Sequence, residues 1–159
     1  MSYRLSVDVI GAEELSRAFR QAPELTKREL SRAIGDSART IEGKAKRYAP
    51  VDQGILRASI HTEGPRVTSN NVEAIVGTNV KYAKMQEEGT GIYGPKKQPI
   101  RPVHGKFLVW KKAGQTFFAR SVKGVKPQWY FKRAKEEGKP AFADAMRDAV
   151  TAIVRGLAA

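Results

Sequence analysis

Apolar and polar residues alternate over residues 3–9, with Tyr3, Leu5, Val7 and Val9 on one side, and Gly11 closes the run. That two-residue period predicts a half-buried strand. The period then changes. Leu15, Ala18, Phe19 and Ala22 recur at three and four residues and predict a first helix. Pro23 cannot lie inside that helix but suits the first turn of the next. Leu25, Leu30, Ile34, Ala38, Ile41, Ala45 and Tyr48 form the apolar stripe of this second helix, and its many cations fall mostly off the stripe. At about 25 residues it would be roughly 38 Å long. It stops at Ala49-Pro50, because a residue before proline is pushed out of helical space.

Pro50 presets a turn, Asp52 can accept from backbone amides just ahead, and Gly54 can take positive φ. Ile55 to His61 then reads as a strand, with Leu56 and Ile60 inward and Arg57 outward, and Val72 to Val76 as its partner across the turn Thr68-Ser69-Asn70-Asn71. Lys81 to Glu88 reads as a short helix with Tyr82 and Met85 on one face and Gly89 as its stop. Residues 90–106 hold three glycines, three prolines and five Lys, Arg or His positions, and read as a long basic loop. "FLVW" and "QTFFARSV" follow as strands around Lys-Lys-Ala-Gly. A helical region begins near Gln128, with Gly138-Lys139-Pro140 expected to break it before the apolar stripe Phe142, Ala145, Met146, Ala149, Val150, Ile153 and Leu157. Strand pairs on short turns between long helices predict one α+β domain over 1–159: an antiparallel sheet packed on a long N-terminal helix and a C-terminal helix.

Charge narrows the partners. The chain of 159 residues carries 29 Lys and Arg against 16 Asp and Glu, a formal +13. No acid occurs between Glu88 and Glu136, and that window supplies +12 of the total. Such asymmetry attracts polyanions or acidic protein surfaces. Cysteine is absent, so there is no disulfide framework or thiolate metal site. No apolar run is long enough for a membrane span, and the first residues lack the apolar segment of a signal peptide, so synthesis in a cytoplasm is expected.

Gly89-Thr90-Gly91-Ile92-Tyr93-Gly94 matches a dinucleotide-binding pattern letter for letter. That chemistry needs a hydrophobic strand leading in, a helix leading out and an acid about twenty residues on. Here "KMQEE" leads in, Pro95 and Pro99 follow, and no acid appears before Glu136, so the pattern reads as a helix cap followed by a flexible basic stretch. The histidines, His61 and His104, have no local acid at metal-ligand spacing. Neither a nucleophile elbow nor a convincing carboxylate pair is present, so no enzyme, metal site or cofactor is expected. Nucleic-acid binding stays open, because the basic window interleaves cations with Tyr93, Phe107, Trp110, Phe117, Phe118 and Trp129. Most of these aromatics fit strands or a helix start and are expected in the core.

Three stretches carry a resemblance. "AKRYAPVDQGILRASI", "VGTNVKYAKMQEEGTG" and "GVKPQWYFKRA" resemble, in order and spacing, motifs of the tail-component proteins of long-tailed lambdoid and HK-type bacteriophages. Gln53 stands where that family usually has Thr, and Lys132 follows the aromatic triple where Pro-Phe-Leu is commoner. The resemblance implies a structural virion protein of the neck or proximal tail, without cofactor, that forms a ring helping to complete the head–tail junction around the DNA channel. A hexamer is one expected form. Its partners would be adjacent head-connector and tail-tube or tail-terminator proteins, with non-specific contact to genomic DNA and none to membrane. On this reading Pro50, Asp52, Gly54, Leu56 and Arg57 set the turn out of the long helix. Tyr82, Glu87, Gly89, Thr90 and Gly91 fix the helix that launches the loop. Lys96, Lys97, Arg101, His104 and Lys106 meet an acidic subunit, an adjacent ring or DNA.

Overall fold

The computed structural model describes residues 2–6, 20, 23–68 and 71–157. The elements in chain order are β1 (Ser2–Ser6), α1 (Pro23–Tyr48), α2 (Ile55–Ser59), β2 (His61–Val67), β3 (Val72–Gly77) and α3 (Ala83–Glu88). A single 3-10 turn (Gly91–Tyr93), β4 (Leu108–Lys112), β5 (Gln115–Ala119) and α4 (Tyr130–Leu157) complete them. The helix expected from Leu15 to Ala22 lies outside the described residues.

The architecture is α+β. Strands β1, β3 and β2 form an antiparallel sheet in that order, with Tyr3 opposite Val76 and Thr62 opposite Val76 from the other side. Strands β4 and β5 form a separate antiparallel hairpin. Helix α1 lies between the three-stranded sheet and α4 and contacts both. Its buried side chains explain this position: Leu30, Ile34, Ala38, Ile41 and Ala45 meet Val72, Ala74 and Val76 of β3 and the Tyr130, Phe131, Ala149 and Ile153 side of α4. Burying each large aliphatic or aromatic side chain contributes about 1.5–3 kcal/mol. Gly138 packs against Ile41 and Gly156 against Leu25, so the two long helices approach closely where one of them lacks a side chain.

Three expected elements differ. Residues 55–59 are helical rather than extended: Gly54 sits in the left-handed region (φ 78), and Ala58 N donates to Gly54 O at 2.9 Å. One helical turn brings Leu56 and Ile60 to the same buried side while Ala58 between them stays exposed, a spacing of four that strand alternation mimics at two of its three positions. The second strand therefore starts at His61.

Next, α4 runs unbroken through Pro140. Proline inside a helix removes one backbone hydrogen bond and costs about 3 kcal/mol. The helix absorbs that cost because Phe131 and Ala134 before the proline, and Ala149 and Ile153 after it, are all buried, while Pro140 itself is exposed.

Finally, α3 turns Ala83 and Glu87 inward and leaves Tyr82 and Met85 exposed, the reverse of the expected face.

Candidate functional site

Glu87 ends α3 and is the most deeply buried charged residue among those described, 1% exposed. Its carboxylate accepts Phe131 N at 2.9 Å and Lys132 N at 2.8 Å. These amides belong to the first turn of α4, where helix geometry leaves N–H groups without partners and concentrates partial positive charge. An acid from a distant segment thus caps the C-terminal helix. The backbone continues the junction: Gln128 N donates to Gln86 O at 2.8 Å and Trp129 N to Glu87 O at 3.2 Å.

The glycine motif lies directly beyond. Thr90 N donates to Val125 O and Val125 N to Thr90 Oγ1, both at 2.9 Å, and Ile92 N donates to Lys123 O at 2.9 Å. The two backbones come so close that a Cβ on Gly91 would lie 2.1 Å from Lys123 O, and one on Gly124 2.2 Å from Thr90 O. Both residues also hold positive φ, 63 and 93. The glycine pattern, read as a cap leading into a flexible stretch, is instead packed at Gly91 and Gly94, where neither has open space for a side chain. No helix follows Gly94 to receive a dinucleotide phosphate; the chain turns through Pro95 and Lys96 instead.

The other predicted residues separate into two groups. Leu56 is buried, Arg57 exposed, and Gly54 forms the turn into α2. Asp52 is exposed and makes no hydrogen bond among the described residues, while Pro50 is half-buried; no hydrogen bond joins this turn to the junction at Glu87. Lys96, Lys97, Arg101, His104 and Lys106 are all exposed, and none has an ion-pair partner among the described residues. The stretch carrying them is pinned by two hydrogen bonds between Ile100 and Val122, at 2.9 and 3.0 Å.

Beyond that pin stands a surface the sequence reading placed in the core. The hairpin β4–β5 closes through a two-residue turn at Ala113-Gly114 and packs on itself rather than on the sheet or the long helices. Trp110 and Phe117 stack across it, centroids 5.7 Å apart and planes 15° apart, yet remain 41% and 39% exposed. On the opposite face Val109 and Phe118 pair at 59% and 66% exposure. Arg120 lies over Phe107 at 5.9 Å, Lys126 over Tyr93 at 5.8 Å and Lys132 over Trp129 at 4.9 Å, so exposed rings and cations alternate along this side. The signal was present in the sequence: both alternating faces of each strand are apolar, which demands cover on both sides, and no third strand follows to provide it.

Two further groups complete the electrostatics. At the end of α1, Glu137 of α4 accepts from the Tyr48 hydroxyl and, at 3.0 Å, from Arg133 Nε, and these two donors hold its carboxyl below the usual range. His61 is raised above its ordinary pKa by the Ser59 carbonyl at 2.9 Å and then by Glu63 at 3.3 Å. No cluster of residues among those described could hold a metal ion, and no described helix is long and apolar enough to cross a membrane.

Residues 13–89 match the family model described as "Bacteriophage HK97-gp10, putative tail-component". Over those residues the chain is similar to this phage tail-component family, and the match takes in the first motif and all but the last two residues of the second; the third, at 124–134, lies beyond the matched region. No curated protein and no solved structure matches the chain.

Proposed function

Taking the chain as a phage tail component, we propose that it is a structural protein of the virion neck or proximal tail. It would act as one subunit of a ring that completes the head–tail junction around the DNA channel. The observation that carries this reading is the exposed basic stretch 96–106, which has no acidic partner among the described residues and ends in an uncovered aromatic hairpin. Free cations beside uncovered rings suit contacts made in an assembly, and a body built on α1 and α4 supplies a rigid frame for them. Lys96, Lys97, Arg101, His104 and Lys106 would meet an adjacent subunit, a neighbouring ring or passing DNA. The test is a phage in which these five are replaced by Gln. The purified variant should melt at the parent temperature, while electron microscopy of lysates shows separate heads and tails. Normally joined particles would overturn the reading.

A second reading, a basic nucleic-acid-binding module acting alone, draws on the same alternation of rings and cations, since exposed aromatics stack bases while cations follow phosphates. A salt titration separates the two. Submicromolar DNA binding by the monomer at physiological salt favours the module; weak binding that vanishes steeply with salt favours the assembly protein.

A further inference from the structure

We infer that the β4–β5 hairpin docks onto the acid-bearing body of a second copy of this chain, so that copies join head to tail rather than like to like. The inference deepens the ring reading above, and rests on it only for the closing of the chain of copies into a ring.

The hairpin needs cover. A two-stranded hairpin standing alone is marginal in water, and this one exposes Trp110 and Phe117 on one face and Val109 and Phe118 on the other. Charge then selects the occupant. Lys111, Lys112 and Arg120 flank the rings, and the hairpin lies in the window that holds no acid. A contact of hairpin on hairpin would oppose like charges, which is costly, whereas a hairpin set on the other copy's body does not. All 16 acids of the chain lie outside the window, together with 17 of its 29 cations, so the remainder is almost neutral and locally acidic. Of the net +13, +12 lies in the window that carries the hairpin, so a hairpin meets less repulsion on the body of a second copy than on its hairpin; an open ladder of copies, against a closed dimer, then separates head-to-tail from reciprocal pairing.

The body offers a complementary surface between α1 and α4. Ala33, Ala149 and Ala152 leave a hollow of ≈ 330 Å³ there, rimmed by Arg32, by Glu29 and Asp36, which pair with Arg28 and Arg39, and by Asp148. A hollow of this size is at the lower end of those that hold a small ligand, enough for an aromatic side chain. Asp148 is exposed and has no ion-pair partner among the described residues. Ring into alanine floor and Lys111 or Lys112 onto Asp148 is the pairing that satisfies both surfaces.

Because the natural chain has no cysteine, disulfide trapping reads the contact without background. Full-length Phe118→Cys and Ala152→Cys are purified, mixed and oxidised, each first checked to melt as the parent. The expected result is a dimer formed at least tenfold more from the mixture than from either variant alone, and a ladder of higher species from the double variant. Raising salt from about 50 to 500 mM should lower the trapped fraction several-fold. Asp148→Lys should abolish trapping, and Lys111→Asp with Lys112→Asp should restore it. A Phe118→Cys dimer with itself as the main product would overturn the inference in favour of like-to-like pairing. Absence of any mixed dimer overturns self-docking altogether; loss of DNA binding on Trp110→Ala in that case assigns the hairpin to nucleic acid. Trapping is read on purified protein and head–tail joining on phage, so either reading can fail without the other.

Discussion

The junction at 87–94 with 122–132 and the hairpin at 108–119 lie in or at the edge of the acid-free window, and both are rich in aromatics and lysine. They nevertheless differ in every structural respect. At the junction two distant segments are bonded backbone to backbone, Glu87 is sealed under the start of α4, and Tyr130 and Phe131 are buried. In the hairpin the only partner of each strand is the other, and four large apolar side chains face outward. Composition does not distinguish the two. What separates them is whether a second segment of the same chain arrives to cover the first, and for the hairpin none does.

That contrast can be broken most severely at Gly91. Gly91→Ala places a methyl group 2.1 Å from Lys123 O at a φ of 63, so the backbones must part. The expected loss is about 3 kcal/mol or more, measured by urea unfolding. Gly54→Ala, at a similar φ but with nothing within 4 Å, should cost about 1 kcal/mol; equal losses would mean that close approach is not what Gly91 serves. Glu87→Ala comes next. It leaves a buried amide at Phe131 and a partly buried one at Lys132 unpaired, with an expected loss of about 2 kcal/mol and faster hydrogen exchange at both, whereas Glu87→Gln should recover part of it.

On the hairpin the expectation reverses. Trp110→Ser with Phe118→Ser should change unfolding stability by no more than about 0.5 kcal/mol while preventing particle assembly. A large stability loss would show that these rings serve the fold after all. The smallest effect lies away from both regions. His61 is raised above its ordinary pKa in the folded protein, so its stabilisation is fully present below the unfolded value near 6.5 and is lost as pH rises through the folded pKa. His61→Gln should therefore lower the melting temperature slightly at pH 5.5 and not at pH 8.5.

Much of the fold could be read directly. The stripe from Leu30 to Ala45 repeats at the helical period for about four turns, and the prolines at 23 and 50 bracket it, so α1 was legible almost to the residue. The turn of the β4–β5 hairpin was plain too, though Lys111 and Lys112, read as part of it, belong to β4. The misreadings have specific causes. Leu56 and Ile60 are compatible with both periods, and only the left-handed Gly54 decides for a helix. Pro140 is tolerated because packing on either side outweighs one lost hydrogen bond. The short helix was read by its apolar residues Tyr82 and Met85 because hydropathy takes no account of the two amides, forty-four and forty-five residues on, that Glu87 accepts. The glycines at 89, 91 and 124 announced a special backbone, but not which other backbone they meet. The basic positions at the site were evident from charge alone; the exposed rings beside them were not, because apolar character on both faces was read as interior rather than as unfinished surface.

The two hydrogen bonds between Ile100 and Val122 carry a consequence for how this protein can vary. They tie the stem of everything from 101 to 121 before the hairpin begins, so the body sees that segment only as a closed loop of fixed entry and exit. Doubling the length of such a loop adds only about 0.6 kcal/mol of closure entropy. The hairpin is thus a replaceable cartridge: it can be lengthened, shortened or exchanged for one that fits a different neighbour, while the helices and sheet below keep the same shape.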